Sequence, residues 1–208
     1  MSKQAVLATI SRHLGPVART LGEHVVLVGP DADDGAWTLV TGGLSDRPMI
    51  LPDGVAAPRL AELMLRLPAS WQLDDAALAE PRWGWPLRWL EVLAALPHAH
   101  ATWLGDGHTI PNGDPPQPLH PGSPFAGVVL GAPSSLPEGE DVAGEVQIYA
   151  VYPLHADEVA FKLARSWDEL AERLDAADVT DLVDPERPSS VAGTPAKPTK
   201  PTKPRKRR

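Results

Sequence analysis

The stretch Val25–Thr41, VVLVGPDADDGAWTLVT, holds two short apolar runs, Val25–Val28 and Trp37–Thr41, around a polar segment crowded with Pro30, Asp31, Asp33, Asp34 and Gly35. Runs rich in β-branched and aromatic residues read as strands, and the Pro-Asp-Gly segment between them reads as a hairpin loop. The chain therefore contains a sheet that is antiparallel at least here. Upstream, Val6, Leu7, Ile10 and Leu14 recur at helical spacing and stop at Gly15-Pro16, which predicts a helix over 4–14.

Downstream, Leu60–Leu67 satisfies two periods at once. Leu60, Leu63, Met64 and Leu67 suit a helix, whereas Leu63, Leu65 and Leu67 alternate as in a strand. Trp85–Leu96 reads as a helix with Pro86 in its first turn and Pro97 beyond its end. Phe125–Leu130 and Val146–Val151 are strand-like. Two helices are predicted over 157–164 and 166–176, the second opened by Ser166 with Glu169 three residues later. This order of elements predicts an α+β fold, a single domain with a mixed, mostly antiparallel central sheet flanked by helices. The stretch Thr102–Pro124 is so rich in Gly, Pro, Asn and Asp that it reads as a long loop, of the kind usually kept for function.

Composition bounds the function classes. The 208 residues suffice for one ordinary domain, and the 24 prolines favour short elements broken by turns. The absence of cysteine removes disulfides, thiolate nucleophiles and thiolate metal sites. Met1–Arg12 lacks the apolar core of a signal peptide, and no run approaches the roughly eighteen apolar residues of a spanning helix. A cytoplasmic protein without membrane contact is expected. Of 19 Lys and Arg, seven follow Val191 and no acid does, so residues 1–190 hold 12 basic against 27 acidic side chains, a net −15. An acidic body repels phosphate and steers a basic protein partner inward. The final residues, 191–208, form a Pro/Lys/Arg-rich tail that is expected to be disordered, while residues 1–190 form the domain. Nucleic-acid tethering by this tail is the alternative reading of its seven charges.

Several strings taken together resemble the suppressor-of-fused-like (SUFU) domain of bacterial proteins. They are WTLVTGGLSDRPM (37–49), AELMLRLPASW (61–71), WPLRWL (85–90), TWLGDGHTIPNG (102–113), YPLHADEVAFKL (152–163) and LDAADVTDLVDPERP (174–188). The resemblance implies that the AEL segment is a strand of the central sheet. It implies a domain shared with a eukaryotic regulator that clamps a peptide of a transcription factor, and it implies no catalysis and no cofactor. Bacterial members look like immunity proteins of polymorphic toxin systems, so the implied partner is a protein, in the narrower form a cognate toxin. Fold likeness does not by itself transfer a ligand.

Candidate site residues follow from the loops. Asp46 and Arg47, in SDRPM just after a strand, suit charge-assisted contacts with a peptide, and equally suit fixing the turn that Pro48 stiffens. His98, His100 and His108 with Asp106 raise the alternative of a small metal-dependent hydrolase. Reading His98 and His100 on one strand face matches no standard ligand spacing. No G-x-S-x-G elbow surrounds Ser45, Ser123, Ser134 or Ser135, and no phosphate-binding loop occurs. Trp83, Trp85 and Trp89 cluster at one helix start, and tryptophan serves both cores and binding hot spots. Trp103, His108 and Asn112 are expected to form one wall of a partner groove, with the 102–124 loop lying over the sheet.

Overall fold

The computed structural model describes residues 2–193; the tail from Thr194 onward lies outside the described residues. Helix α1 (Ser2–Leu14) stops at Gly15, whose φ of 100° suits glycine at a helix end. Strands β1 (Val17–Leu21), β2 (Val25–Val28) and β3 (Trp37–Thr41) follow as an antiparallel meander, with Val25 opposite Thr41 and Val28 opposite Thr38. A 3-10 turn over Leu44–Asp46 leads toward β4 (Leu60–Leu67). Helices α2 (Asp75–Ala79) and α3 (Pro81–Ala99) precede β5 (Thr109–Pro111), β6 (Phe125–Gly131), β7 (Val142–Ala143) and β8 (Val146–His155). Helices α4 (Ala156–Ala164) and α5 (Trp167–Ala176) close the body.

The sheet order is β1-β2-β3-β4-β8-β6-β5, with β7 on β8. Among the described residues only the β4–β8 strand pairing is parallel; every other pair of strands runs antiparallel. Strand β4 is therefore central and covered on both faces, which is why its apolar residues fit two periods. Ala61, Leu63, Leu65 and Leu67 pack under α3 with Trp85, Leu90 and Leu93. Met64 points the other way, into a cluster with Val6 and Ile10 of α1, Val159 of α4 and Leu170 of α5. Three layers result, with helices on both faces of the sheet.

Several boundaries differ from the sequence reading. Helix α3 begins at Pro81, where a missing N–H costs nothing, and contains Pro86 and Pro97 instead of ending before Pro97. Both inner prolines are buried along with Leu90, Leu93 and Ala94. Strand β8 runs four residues past Val151, through Pro153, which pairs opposite Val128. The 102–124 stretch is not wholly loop, since β5 within it forms a sheet edge. Val191, read as the start of the tail, is 5% exposed and packs with the α1-side cluster.

Candidate functional site

The TWLGDGH turn carries residues 102–108 from α3 to the sheet edge, and its sequence has a packing logic. The Trp103 ring lies over Gly105, where an added Cβ would come within 2.4 Å of it. Gly107, at φ 70°, is covered likewise by the Trp167 ring, and Trp167 Nε1 donates to Asp106 Oδ2 at 2.9 Å. Trp103 and His108 meet edge-on, ring centroids 4.2 Å apart. Burial lowers the His108 pKa from its ordinary value, while a hydrogen bond with the Trp103 backbone pulls it the other way.

From there the backbone enters β5. Leu130 N donates to His108 O and Asn112 N donates to Ala126 O, so even-numbered residues face β6. Thr109 N–H and C=O and Pro111 C=O therefore turn outward along the open edge. Asn112 Nδ2 donates to Gln117 O at 3.1 Å and Pro118 O at 2.7 Å, closing the next turn. Beside this edge runs a groove of about 400 Å³, bounded by Arg88, Trp89 and Val92 of α3 and by Ile110, Asn112 and Leu119. Val92 is 57% exposed there, a large apolar side chain with no covering element.

Asp46 and Arg47 lie elsewhere. Both are exposed on the turn between β3 and β4 and line a cleft of about 610 Å³ with His24, Glu91 and His98. Beneath them Glu62, fully buried on β4, holds the turn in shape. Its carboxylate accepts from Thr41 Oγ1 at 2.5 Å, Gly43 N at 3.0 Å, Ser45 N at 3.1 Å and Ser45 Oγ at 2.6 Å. No sequence signal marked this residue beyond a lone acid in an apolar run.

The histidines do not converge. His98 is on α3, with Nε2 3.4 Å from Leu44 O; His100 caps the same helix instead of sharing a strand with it; His108 meets Trp103 edge-on. Among the described residues no group of three His, Cys, Asp or Glu is arranged to hold a metal ion. No helix among them is long and apolar enough to cross a membrane. Of the five expected site residues, the structure brings Trp103 and His108 together, puts Asn112 in the apolar groove, and leaves Asp46 and Arg47 in a separate cleft.

The family profile of Suppressor of fused protein (SUFU) matches residues 21–188, and the chain belongs to that family. A SUFU homolog from Neisseria gonorrhoeae FA 1090 shares the fold with a TM-score of 0.66 at 20% identity, over 91% of this chain and 97% of its own. A chain of the Sufu–Fu complex gives 0.62 at 16%, over 91% and 92%. Drosophila Suppressor of Fused gives 0.61 at 15%, covering 91% of this chain and 51% of the Drosophila chain. At such identities the likeness establishes the fold. Comparison with curated protein sequences finds no match.

Proposed function

We propose that this SUFU-family chain is a non-catalytic protein-binding module that holds an extended segment of its partner along the groove between α3 and β5. The observation that carries the reading is the pairing of an open sheet edge with an apolar wall, half-buried Trp89 and exposed Val92, across about 400 Å³. An edge strand offers main-chain hydrogen bonds, and a flanking pocket selects side chains. Thr109 supplies one donor and one acceptor, and Pro111 adds an acceptor but no donor. A relative solved in the Sufu–Fu complex supports the binding class.

The narrower form is an immunity protein whose partner is a cognate toxin in the cytoplasm, an expectation taken from the resemblance to bacterial members. The acidic body favours a basic toxin surface. Affinity capture with the full chain, followed by measurement of turnover by the captured protein, tests both levels. Inhibition of that turnover supports the immunity role; a specific partner with no inhibited activity supports the binding module alone; absence of any specific partner contradicts both. For the metal-hydrolase alternative, elemental analysis of the purified chain is expected to find no stoichiometric zinc, manganese or iron. Stoichiometric metal lost on His108→Ala would favour that alternative instead.

A further inference from the structure

The fifteen residues after Gly193 read TPAKPTKPTKPRKRR. Pro195, Pro198, Pro201 and Pro204 recur at every third position, and Lys197, Lys200, Lys203 and Lys206 recur in step with them. Three residues per turn is the period of polyproline II, which rises about 3.1 Å per residue. In that conformation the prolines share one edge and the lysines another, each repeating about every 9 Å. Proline edges of this kind are bound by aromatic-lined grooves, because the preformed conformation loses little entropy on docking.

Among the described residues an aromatic pocket of suitable size lies apart from the α3–β5 groove. Trp71, Trp83, Trp85 and Phe125 line about 480 Å³ between the start of α3 and the 120–124 turn. Trp71 stands edge-on to Trp83 at 5.3 Å and to Trp85 at 6.2 Å, and its Nε1 donates to Trp83 O at 3.0 Å. Trp71, Trp85 and Phe125 are buried and form a fixed floor, whereas Trp83 is half-buried and presents its ring. Arg82 lies over one face of Trp83, 4.7 Å from the ring centroid.

The segment that leads toward the tail passes this pocket. Pro185 and Glu186 line it, and the Arg187 guanidinium sits 5.2 Å from the Phe125 ring. From Arg187 to Gly193 the backbone spans at most about 22 Å. Fifteen residues at the polyproline II rise measure about 46 Å, a length sufficient for the segment after Gly193 to reach back over the pocket. Charge favours the same docking. Glu80, at the start of α3, and Asp184 and Glu186, on the passing segment, are exposed and in no ion pair among the described residues. They offer carboxylates to the lysine edge, with Arg82 the opposing cation on the rim.

We infer that the pocket of Trp71, Trp83, Trp85 and Phe125 is the docking site of the chain's own proline-lysine segment, which binds it in cis. Because the chain has no cysteine, one introduced at Thr199→Cys accepts a single nitroxide label on the full-length protein. In the ¹⁵N spectrum the indole N–H signals of Trp83 and Trp71 are expected to lose intensity when the label is oxidised and recover it on reduction. In a full-length variant with Pro195, Pro198, Pro201 and Pro204 all changed to alanine, every tail charge remains but the intensity loss is expected to vanish. Unattenuated indole signals would overturn the inference. So would attenuation that survives the alanine changes, which would assign the tail's position to charge alone. Attenuation seen only when labelled ¹⁴N chain is mixed with unlabelled ¹⁵N chain would make the occupant a second copy and overturn docking in cis.

Discussion

Arg187 donates to both carboxylate oxygens of Glu158, each at 2.7 Å, and Glu158 is fully buried. Ser190 N and His155 N donate to the same carboxylate, so the closing segment is fastened onto the start of α4. Burial pushes the Glu158 carboxyl up, but the Arg187 hydrogen bonds and charge outweigh it and hold the pKa below its ordinary 4.5. Arg187→Ala leaves a buried carboxylate without its cation and is expected to lower stability by about 3–5 kcal/mol in denaturant titration. A depressed carboxyl pKa stabilises the fold above the unfolded value and loses that contribution as pH falls through the folded one. The stability gap between the wild type and Glu158→Gln is therefore expected to be full above about pH 5 and to shrink on acidification below the ordinary carboxyl value.

Glu62 makes a second buried arrangement, this one without a cation among the donors described above. Glu62→Ala removes the carboxylate that accepts from the Gly43 and Ser45 amides and is expected to cost about 2–4 kcal/mol. Hydrogen exchange at those two amides should accelerate more than exchange across β2, because the loss is local to the turn that presents Asp46 and Arg47.

His108 gives a pH signature. Its ring signal is expected to titrate below 6.5, and Trp103→Ala should move the midpoint back up by letting water reach the ring. The neutral ring is favoured in the fold, so the stability tied to it is whole above 6.5 and falls as pH drops through the lower folded value. Trp103 packs against the α3-side core, and its truncation is expected to lower stability by about 2 kcal/mol. An unchanged melting temperature would contradict that packing role.

The exposed Asp46 and Arg47 are expected to tolerate alanine within about 0.5 kcal/mol of wild-type stability. A matching loss of partner affinity, measured by calorimetry, would extend the binding surface into their cleft; unchanged affinity would confine it to the α3–β5 groove.

The hairpin Val25–Thr41 was legible to the residue because both strands are short, β-branched and bounded by turn formers. Strand β4 was not legible from its period, since two-sided burial erases alternation, and only the resemblance to a family decided it. Strand β5 was hidden by the glycines and prolines around it; three residues pairing with β6 leave almost no local signal. Strand β1, VARTL, is exposed over all but its last residue and so lacks an apolar pattern. Trp103, His108 and Asn112 were visible as unusual residues in a loop, but that Trp167 would cover Gly107 and Arg187 would reach Glu158 depends on contacts distant in sequence. The groove itself comes from Val92 and Trp89, which helical periodicity alone could not assign to an uncovered face.

The most direct test is to capture the partner with the wild-type full chain, identify it, and compare its affinity for wild type and Val92→Asp. Val92 is 57% exposed, so the substitution is expected to leave the melting temperature nearly unchanged. A charge placed in the apolar wall is predicted to weaken binding by at least about 1 kcal/mol, roughly fivefold. Equal affinity for the two proteins would contradict a partner site between α3 and β5.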